Sequence, residues 1–224
     1  MQNDKSKILE KYFPFWEKLS DEQQQRLCIN SVIGKYKKGA NIHGGDGSCT
    51  GAIIVMKGSL RAYLLSENGR EVTLYRFQKE EVCMLSASCV IPSINFDVVI
   101  DAEEDSEILI ICGNAYAETA KENIYAENFA LDTAVKLFSD VVWVMQQTMF
   151  MSLDKRIAVF LWNETSKTNS TTVYITHEQL ARYINSAREA VTRMLKYFAS
   201  EGIVALFRGG IKILDFGKLE KLAL

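Results

Sequence analysis

The segment from Thr176 to Gly202 constrains the fold most, because its residue spacing is that of two helices joined by a tight turn. Thr176 is a suitable N-cap for the first helix, and Gly202 is suited to end the second. Asn185 lies at the turn between them, where a residue that tolerates positive φ is needed. The second helix is predicted to begin near Ser186. Four apolar residues at helical spacing form its core-facing side, namely Val191, Met194, Leu195 and Phe198.

The polar side of this second helix, residues 186–200, carries side chains that can read base edges in DNA. Arg188 and Glu189 lie in its first turns, and Arg193 lies about one turn further on. Arginine donates to guanine O6 and N7 in bidentate fashion, and glutamate accepts a hydrogen bond from cytosine N4. In helix-turn-helix proteins the N-terminal part of the second helix meets the base edges. We therefore predict base readout by these three residues; the alternative is a solvated helix with a ladder of surface charge pairs.

A hairpin is predicted directly after the second helix, in the position of a wing. Two short apolar runs, 203–207 and 211–214, flank an Arg-Gly-Gly turn, and glycines at the turn are typical of hairpins. Arg208 at the tip, with Lys212 nearby, is predicted to lie against the phosphate backbone. The residues predicted to contact phosphates are Thr176, His177, Ser186, Thr192, Lys196 and Arg208.

This segment resembles the winged-helix domain of the catabolite activator and fumarate–nitrate regulator (Crp/Fnr) family of bacterial transcription factors. The Arg-Glu-x-x-x-Arg spacing that begins at Arg188 is closer to the catabolite-activator branch, which implies a TGTGA-like half-site. Asn185 departs from the pattern, since the family usually has glycine there. The other matching residues are Thr176, Leu180, Ala181, Val191, Leu195, Gly202 and the strand end at 211–215.

The resemblance implies an α+β fold with three parts. An N-terminal antiparallel β-roll of the jelly-roll, cyclic-nucleotide-binding-like type (residues 1–116) would sense an effector. A long central helix (117–151) would form a dimer, and the winged helix-turn-helix (152–224) would bind DNA. The implied protein is a homodimeric, sequence-specific regulator of transcription, with RNA polymerase as a further partner if it activates.

Charge is distributed unevenly along the chain. Residues 151–224 carry 11 Lys and Arg against 7 Asp and Glu, a balance of +4. Residues 1–150 carry 15 against 21, a balance of −6. A positive C-terminal part suits electrostatic attraction to phosphate. With 48% hydrophobic residues, the 224-residue chain can bury two modest cores.

The front half has the pattern of many short strands separated by turns. Residues 59–65 alternate between apolar and polar side chains, an Asn-Gly turn follows at 68–69, and a second β-rich run returns at 72–77. Further β-rich runs lie at 52–56, 97–102 and 107–112. Short strands at regular spacing argue for an antiparallel barrel or jelly roll.

The stretch from 117 to 151 contains neither proline nor glycine and is predicted to be one long helix. Residues that recur at three- and four-residue steps form a stripe that suits a coiled-coil dimer seam. The alternative is a helix packed only on its own sensor domain. Dimerisation has an independent argument, because one helix in one major groove contacts few bases and two-fold repetition is the usual remedy. The stripe consists of Ala126, Ala130, Thr133, Leu137, Val141, Val144 and Thr148.

The effector pocket is predicted to lie in the β-roll, but cyclic AMP is not expected to bind there tightly. In the family, cyclic-nucleotide-binding members carry a Gly-Glu pair for the ribose and an Arg followed by Ser or Thr for the cyclic phosphate. The corresponding region here lacks the Gly-Glu pair, and Phe96 and Asp97 occupy the place of the second pair. An aspartate would repel a phosphate at close range. The residues predicted to line the pocket are Arg61, Cys83, Ser86, Ser88 and Cys89.

The five cysteines are scattered and odd in number, which is not typical of a secreted disulfide framework and favours a reducing cytoplasm. Cys83 and Cys89 could form a redox or metal-binding pair, and the alternative is that both are plain buried hydrophobes. No cysteine precedes Cys28, so an iron–sulfur cluster held by N-terminal cysteines is not expected. His43 is a candidate haem or metal ligand, with a surface loop residue as the alternative.

An enzyme is not expected. Cupins use a His-rich metal site in the mouth of a β-roll, and the front half of this chain has one histidine. No nucleophile elbow, P-loop or dinucleotide fingerprint occurs. A β-roll or cupin-like ligand-binding protein that does not bind DNA is the alternative, and salt-dependent DNA binding would separate the two. Neither a transmembrane helix nor a signal peptide is expected, because no apolar run is long enough and the N-terminus is charged.

Overall fold

The computed structural model describes residues 2–44, 50–84 and 98–224. It divides into two compact units, one formed by residues up to Arg70 together with 74–141, the other by 71–73 and 142–224. The division falls within a long helix rather than in a loop. Each unit has a hydrophobic core of its own, and the first unit has two clusters of buried residues.

The first part of the chain combines short helices with two antiparallel sheets. The helices before the sheets are α1 (Gln2–Tyr12), a short 3-10 helix (Trp16–Lys18) and α2 (Asp21–Ile29). The strands are β1 (Ser31–Tyr36), β2 (Asn41–Gly44), β3 (Ala52–Lys57), β4 (Leu60–Leu65), β5 (Glu71–Phe77), β6 (Val82–Cys83), β7 (Val99–Ala102) and β8 (Ser106–Ile111). One sheet has the order β1-β8-β3-β6 and the other β2-β7-β4-β5. The predicted antiparallel β-roll is confirmed.

Alternating side chains of the strands build a core between the two sheets. Leu60 and Ala62 of β4 lie opposite Ala102 and Ile100 of β7 in the register. These four residues and Ile53 of β3, in the other sheet, belong to one buried cluster. Successive side chains of a strand point to opposite faces of its sheet. The residues between them in sequence therefore point away from this cluster.

The predicted single helix at 117–151 is wrong, because the structure has two helices there. Helix α3 spans Gly113–Glu122 and α4 spans Ile124–Phe150. Asn123 between them has an extended backbone, with φ −137° and ψ 110°. Its side-chain Oδ1 accepts a hydrogen bond from the backbone N–H of Tyr125 at 3.0 Å. Asparagine competes with the helix backbone in this way, which explains why one helix ends and the next begins at this residue.

The predicted dimer seam of α4 is wrong at its buried positions. Ala126 and Ala130 are buried in a cluster with Phe13 and Tyr116, and the Tyr116 hydroxyl donates to the carbonyl of Ala126 at 3.0 Å. Leu137 is buried in the cluster between the sheets. Their own chain already covers these side chains, so a second copy cannot contact them. The alternative prediction, a helix packed on its own sensor domain, is confirmed for this face of α4.

The second unit contains a winged helix-turn-helix, as predicted. Its elements are α5 (Leu153–Thr168), β9 (Thr172–Val173), α6 (His177–Tyr183), α7 (Arg188–Ser200), β10 (Val204–Phe207), β11 (Gly210–Ile213) and α8 (Phe216–Ala223). The three strands form a sheet of order β10-β11-β9. Leu180 of α6 and Val191, Leu195 and Phe198 of α7 are fully buried in one core cluster. The apolar spacing from which the motif was predicted is therefore the spacing of residues that form its core.

Candidate DNA interface

Helix α6 starts with a capping box that determines where the helix begins. Thr176 Oγ1 accepts from the backbone N–H of Gln179 at 3.1 Å, and Gln179 Oε1 accepts from the backbone N–H of Thr176 at 3.0 Å. This reciprocal arrangement satisfies two donors that would otherwise lack a partner at a helix start. The predicted cap is confirmed. The Thr176 side chain is exposed, and its contact with phosphate stays a prediction.

The turn between α6 and α7 has the backbone that the sequence predicted. Asn185 has a φ of 53°, in the left-handed region that few residues other than glycine and asparagine adopt readily. The chain then closes the turn, since the N–H of Ser186 donates to the carbonyl of Ala181 at 2.9 Å. Ala181 is 3% exposed, so a small residue is needed where the two helices cross.

Arg156 of α5 positions this turn, and sequence reasoning missed it. Its Nη1 donates to the carbonyl of Ile184, the C-cap residue of α6, at 2.9 Å. A cation at a helix C-terminus offsets the partial negative charge of the last carbonyls. Burial lowers the pKa of the Arg156 guanidinium from its ordinary value, and its Nε is buried without a hydrogen-bond partner among the described residues. Arg156 lies outside the helix-turn-helix segment, and no local sequence pattern predicts a contact between residues 28 positions apart.

Helix α7 presents the three predicted base-reading residues to solvent. Arg188, Glu189 and Arg193 are exposed, while the opposite side of the helix is buried. In the part of the chain that the structure describes, no carboxylate lies within ion-pair distance of Arg188 or Arg193. The alternative of a ladder of surface charge pairs therefore finds no support. Neither guanidinium group is paired with a carboxylate of the described residues, so both can donate to an external acceptor.

His177, the first residue of α6, joins the two helices of the motif. Its Nδ1 lies 3.1 Å from the Thr192 Oγ1 of α7. Burial, and then the positive charges of Arg188 and Lys196, lower the pKa of His177. Three residues predicted to contact phosphate, His177, Thr192 and Lys196, therefore lie close together on one side of the motif. Ser186 is half-buried, and its phosphate contact stays a prediction.

The lowered pKa of His177 predicts a pH-dependent contribution to stability. The unfolded chain, with an ordinary histidine pKa of about 6.5, takes up a proton before the folded protein does. The free energy of unfolding should therefore fall as the pH falls through this range. His177→Gln should make that dependence weaker, because glutamine does not titrate. Urea unfolding of both proteins at about pH 8 and about pH 5.5 measures it, with His43 unchanged in both. Identical pH dependence in the two proteins would contradict the assignment.

The wing is a tight hairpin. Phe207 pairs with Gly210, which leaves Arg208 and Gly209 as the two turn residues. Gly209 has a φ of 82°, which favours glycine. At Gly210 a Cβ atom would collide with the ring of Phe207, so the ring lies directly over this glycine. The predicted hairpin is confirmed, and Arg208 is exposed at its tip.

Two residues of the predicted effector pocket lie on different faces of the β-roll. Arg61 follows Leu60 in β4 and points away from the cluster between the sheets; its guanidinium carbon lies 4.4 Å from the centre of the Tyr63 ring. Cys83 is fully buried within that cluster. These positions do not favour a pocket shared by both side chains, and the effector pocket stays a prediction. Ser86, Ser88, Cys89, Phe96 and Asp97 lie outside the described residues.

His43 is neither in a loop nor on the surface. It lies in β2 and is 7% exposed, and its Nδ1 is 2.8 Å from the Thr50 Oγ1. Among residues 2–44, 50–84 and 98–224, no three His, Cys, Asp or Glu side chains are grouped so that they could hold a metal ion. Nor does the described part of the chain contain a helix that is long and apolar enough to cross a membrane.

Comparison with known proteins agrees with the geometry of this interface. The family of Crp-like helix-turn-helix domains matches residues 155–222. No curated protein matches the sequence at a significant level. A crystal structure of a Crp/Fnr-family protein from Eubacterium rectale ATCC 33656, described as a transcriptional regulator, is 44% identical. The match covers 95% of this chain and 98% of that chain, with a TM-score of 0.87.

More distant structures share the fold. FixK2 from Bradyrhizobium japonicum is 16% identical, with a TM-score of 0.73 over 87% of this chain and 98% of that chain. The c-di-GMP-responsive regulator CLP from Xanthomonas campestris is 18% identical, with a TM-score of 0.70 over 88% of this chain and 100% of that chain. Because the match to the Eubacterium rectale protein covers 95% of this chain at 44% identity, the chain belongs to the Crp/Fnr family of transcriptional regulators, and its DNA-binding part is the Crp-like helix-turn-helix domain.

Proposed function

We propose that the protein is a homodimer that reads a palindromic DNA site of TGTGA-like half-sites through α7. The observation that carries the proposal is the exposed set of Arg188, Glu189 and Arg193, which has no ion-pair partner among the described residues. A fully buried opposite side holds the helix in place, so the three side chains are presented by a rigid element. Arg-guanine and Glu-cytosine pairs are the hydrogen bonds that these residue types make in a major groove. If the regulator activates, RNA polymerase is the further partner.

The dimer contact that we propose lies on a second apolar stripe of α4, whose residues are exposed except for the half-buried Val142. Phe138 is 69% exposed, Val135 63% and Met149 67%. Steps of four and three residues alternate along the stripe, which is the spacing of a and d positions in a coiled coil. An exposed, continuous apolar stripe of this kind favours a contact with a second copy of the helix. The stripe, called here the α4 seam, consists of Leu131, Val135, Phe138, Val142, Met145 and Met149.

We propose that the effector is a molecule other than cyclic AMP. The Tyr75 hydroxyl donates to Glu81 at 3.5 Å. Burial, and then the charges of Glu81 and Asp140, raise the pKa of Tyr75. Burial also raises the pKa of Asp140 on α4. Tyr75 packs against the cluster between the sheets, where Cys83 is buried. A cyclic phosphate beside Tyr75 would approach the carboxylate of Glu81, which is unfavourable.

An effector can act on DNA binding only through its different affinity for two arrangements of the protein. We propose that an effector in the β-roll biases α4, whose buried stripe packs on the β-roll clusters. The same helix carries the α4 seam on its exposed side, so one element takes part in sensing and in dimerisation. In such a dimer, the spacing of the two α7 helices on DNA depends on α4.

Fluorescence anisotropy tests the proposal. The protein is titrated onto a labelled palindromic duplex with TGTGA-type half-sites one helical turn apart, and onto a duplex with the half-sites scrambled, across a salt series. Selective binding to the palindrome is expected, with an affinity that falls as salt rises because phosphate contacts release counterions. Cyclic AMP is expected to change neither affinity.

Each outcome has a distinct meaning. Selective binding without an added ligand supports a regulator whose effector tunes or releases the complex. Weak, unselective binding that falls steeply with salt supports the DNA function and means that an activating effector is required or that the half-site differs. No binding at low salt would overturn the proposal and point to the β-roll as the working part.

A further inference from the structure

Two exposed aromatic side chains lie next to each other beside the wing. Tyr174 is 82% exposed and Phe207 is 46% exposed. Their ring centroids are 6.1 Å apart at an interplanar angle of 81°, an edge-to-face contact. Aromatic side chains contribute large contact area at interfaces, and an exposed pair leaves that area open to a partner. The wing region therefore presents exposed aromatic area in addition to the cation at its tip.

The pair lies on the surface that also carries the predicted phosphate contacts. Burial alternates from Val173 to Thr176, with Val173 and Ile175 buried and Tyr174 and Thr176 exposed. Tyr174 and Thr176 therefore point outward together, about 6–7 Å apart along an extended chain. Phe207 directly precedes Arg208 at the wing tip. The two rings bridge the start of α6 and the wing.

The fold holds Phe207 in position before any partner binds. Phe207 and Gly210 are paired across the hairpin, and the ring lies over the glycine because no Cβ occupies that space. The edge of Tyr174 supports the same ring. A preorganised side chain loses little freedom on binding, which favours a role in a contact over a role as an idle surface residue.

The charges around the pair point to a polyanion. Between Gly202 and Leu214 the chain carries Arg208 and Lys212 and no carboxylate, and residues 171–177 carry no carboxylate either. Rings flanked by cations fit the sugar and base edges of DNA, because apolar side chains pack into a minor groove while cations contact the phosphates. We propose that Tyr174 and Phe207 contact the minor-groove side of the base pairs that flank each half-site. This inference rests on the proposed DNA function.

Two duplexes of different length test the inference. The short duplex ends at the outer base pair of each half-site, and the long duplex continues for about one helical turn on each side, roughly ten base pairs. Wild-type protein should bind the long duplex more tightly. Tyr174→Ala and the double variant with Phe207→Ala should lose that gain, by about tenfold for the double variant, because each truncation removes apolar area from contact with the groove.

Matched variants show whether the loss is specific. The Trp162–Phe216 pair is a second edge contact of the same unit, with centroids 6.3 Å apart, and Phe216→Ala should keep the full gain on the long duplex. Arg208→Ala should weaken binding to all sequences about equally and lower the salt dependence, whereas Tyr174→Ala should leave the salt dependence unchanged. Tyr174 is so exposed that its substitution should not affect folding, which far-UV circular dichroism verifies.

The possible results separate this inference from the DNA function itself. A palindrome-selective wild-type protein that gains nothing from the longer duplex would overturn the inference and leave the regulator standing. So would a Tyr174→Ala variant that keeps the gain, or one that loses equally on both duplexes. A wild-type protein that binds neither duplex would instead refute the proposed function.

Discussion

Phe138→Asp is expected to make the protein monomeric and to lower its affinity for a palindromic duplex by about 10²–10⁴-fold, the usual gain from bivalent binding. Phe138 lies in the middle of the α4 seam and is 69% exposed. In a paired seam its ring would pack against the second copy. A carboxylate there would be buried without a partner and would face its own symmetry mate, so pairing becomes unfavourable. Light scattering during size exclusion gives the mass, and anisotropy gives the affinity.

Two control variants separate dimer loss from unfolding. Ser139→Asp adds the same charge at the next, exposed position outside the α4 seam and should leave the dimer intact. Leu137→Asp places a charge in the cluster between the sheets, so it should destabilise the β-roll instead. Phe138→Asp should still bind a single half-site weakly, because α7 is unchanged. A dimeric Phe138→Asp protein with wild-type affinity would show that the α4 seam is not the contact.

Arg188→Ala is expected to remove about 1–3 kcal/mol of discrimination at one guanine of each half-site. Arg188 lies at the first position of α7, is exposed, and has no ion-pair partner among the described residues. Its loss therefore breaks no ion pair among the described residues, although it removes a positive charge that lowers the pKa of His177. The measurement is the ratio of affinities for the matched duplex and for duplexes in which each guanine is replaced in turn.

Two further substitutions separate base-specific hydrogen bonding from general attraction to phosphate. Arg188→Lys keeps the positive charge but loses the bidentate fork, so it should discriminate less while its salt dependence stays near that of wild type. Lys196→Ala should weaken binding to all duplexes about equally and reduce the salt slope by about one. If Arg188→Ala keeps the wild-type ratio at every guanine, Arg188 does not read a base.

The DNA-binding unit was predictable because its signals are local. The capping box of Thr176 and Gln179, the positive φ of Asn185 and the tight turn at Gly209 each depend on a few neighbouring residues. The three residues predicted to read bases lie on the exposed side of one helix, and their role stays a prediction. Arg156 was not predictable, since it contacts Ile184 across 28 residues and acts through its place in the packed unit. Helix α8 was also missed, although Asp215 is a good N-cap and accepts from the N–H of Lys218 at 2.9 Å.

In the sensor unit the fold was predictable, but most of the side-chain contacts were not. Short strands and an Asn-Gly turn predicted a β-roll, and the sheets confirm it. Which side chains meet within the roll was not predictable. Arg61 and Cys83 were assigned to one pocket, yet strand alternation places them on different faces. His43 was expected in a loop, but it is buried in β2 beside Thr50. Pairing between distant strands decided each of these positions.

Helix α4 shows most clearly where the limit lies. Its sequence by itself determined a long helix with apolar residues at three- and four-residue steps, because helix periodicity is a local property. It did not determine which apolar side faces inward, because two stripes, one through Ala130 and one through Phe138, have nearly the same spacing. Only the tertiary structure decided this: the β-roll clusters bury Ala130 and Leu137 and leave Phe138 exposed. The side that the chain's own core covers depends on surfaces contributed by residues far away in sequence, and local spacing carries no information about them.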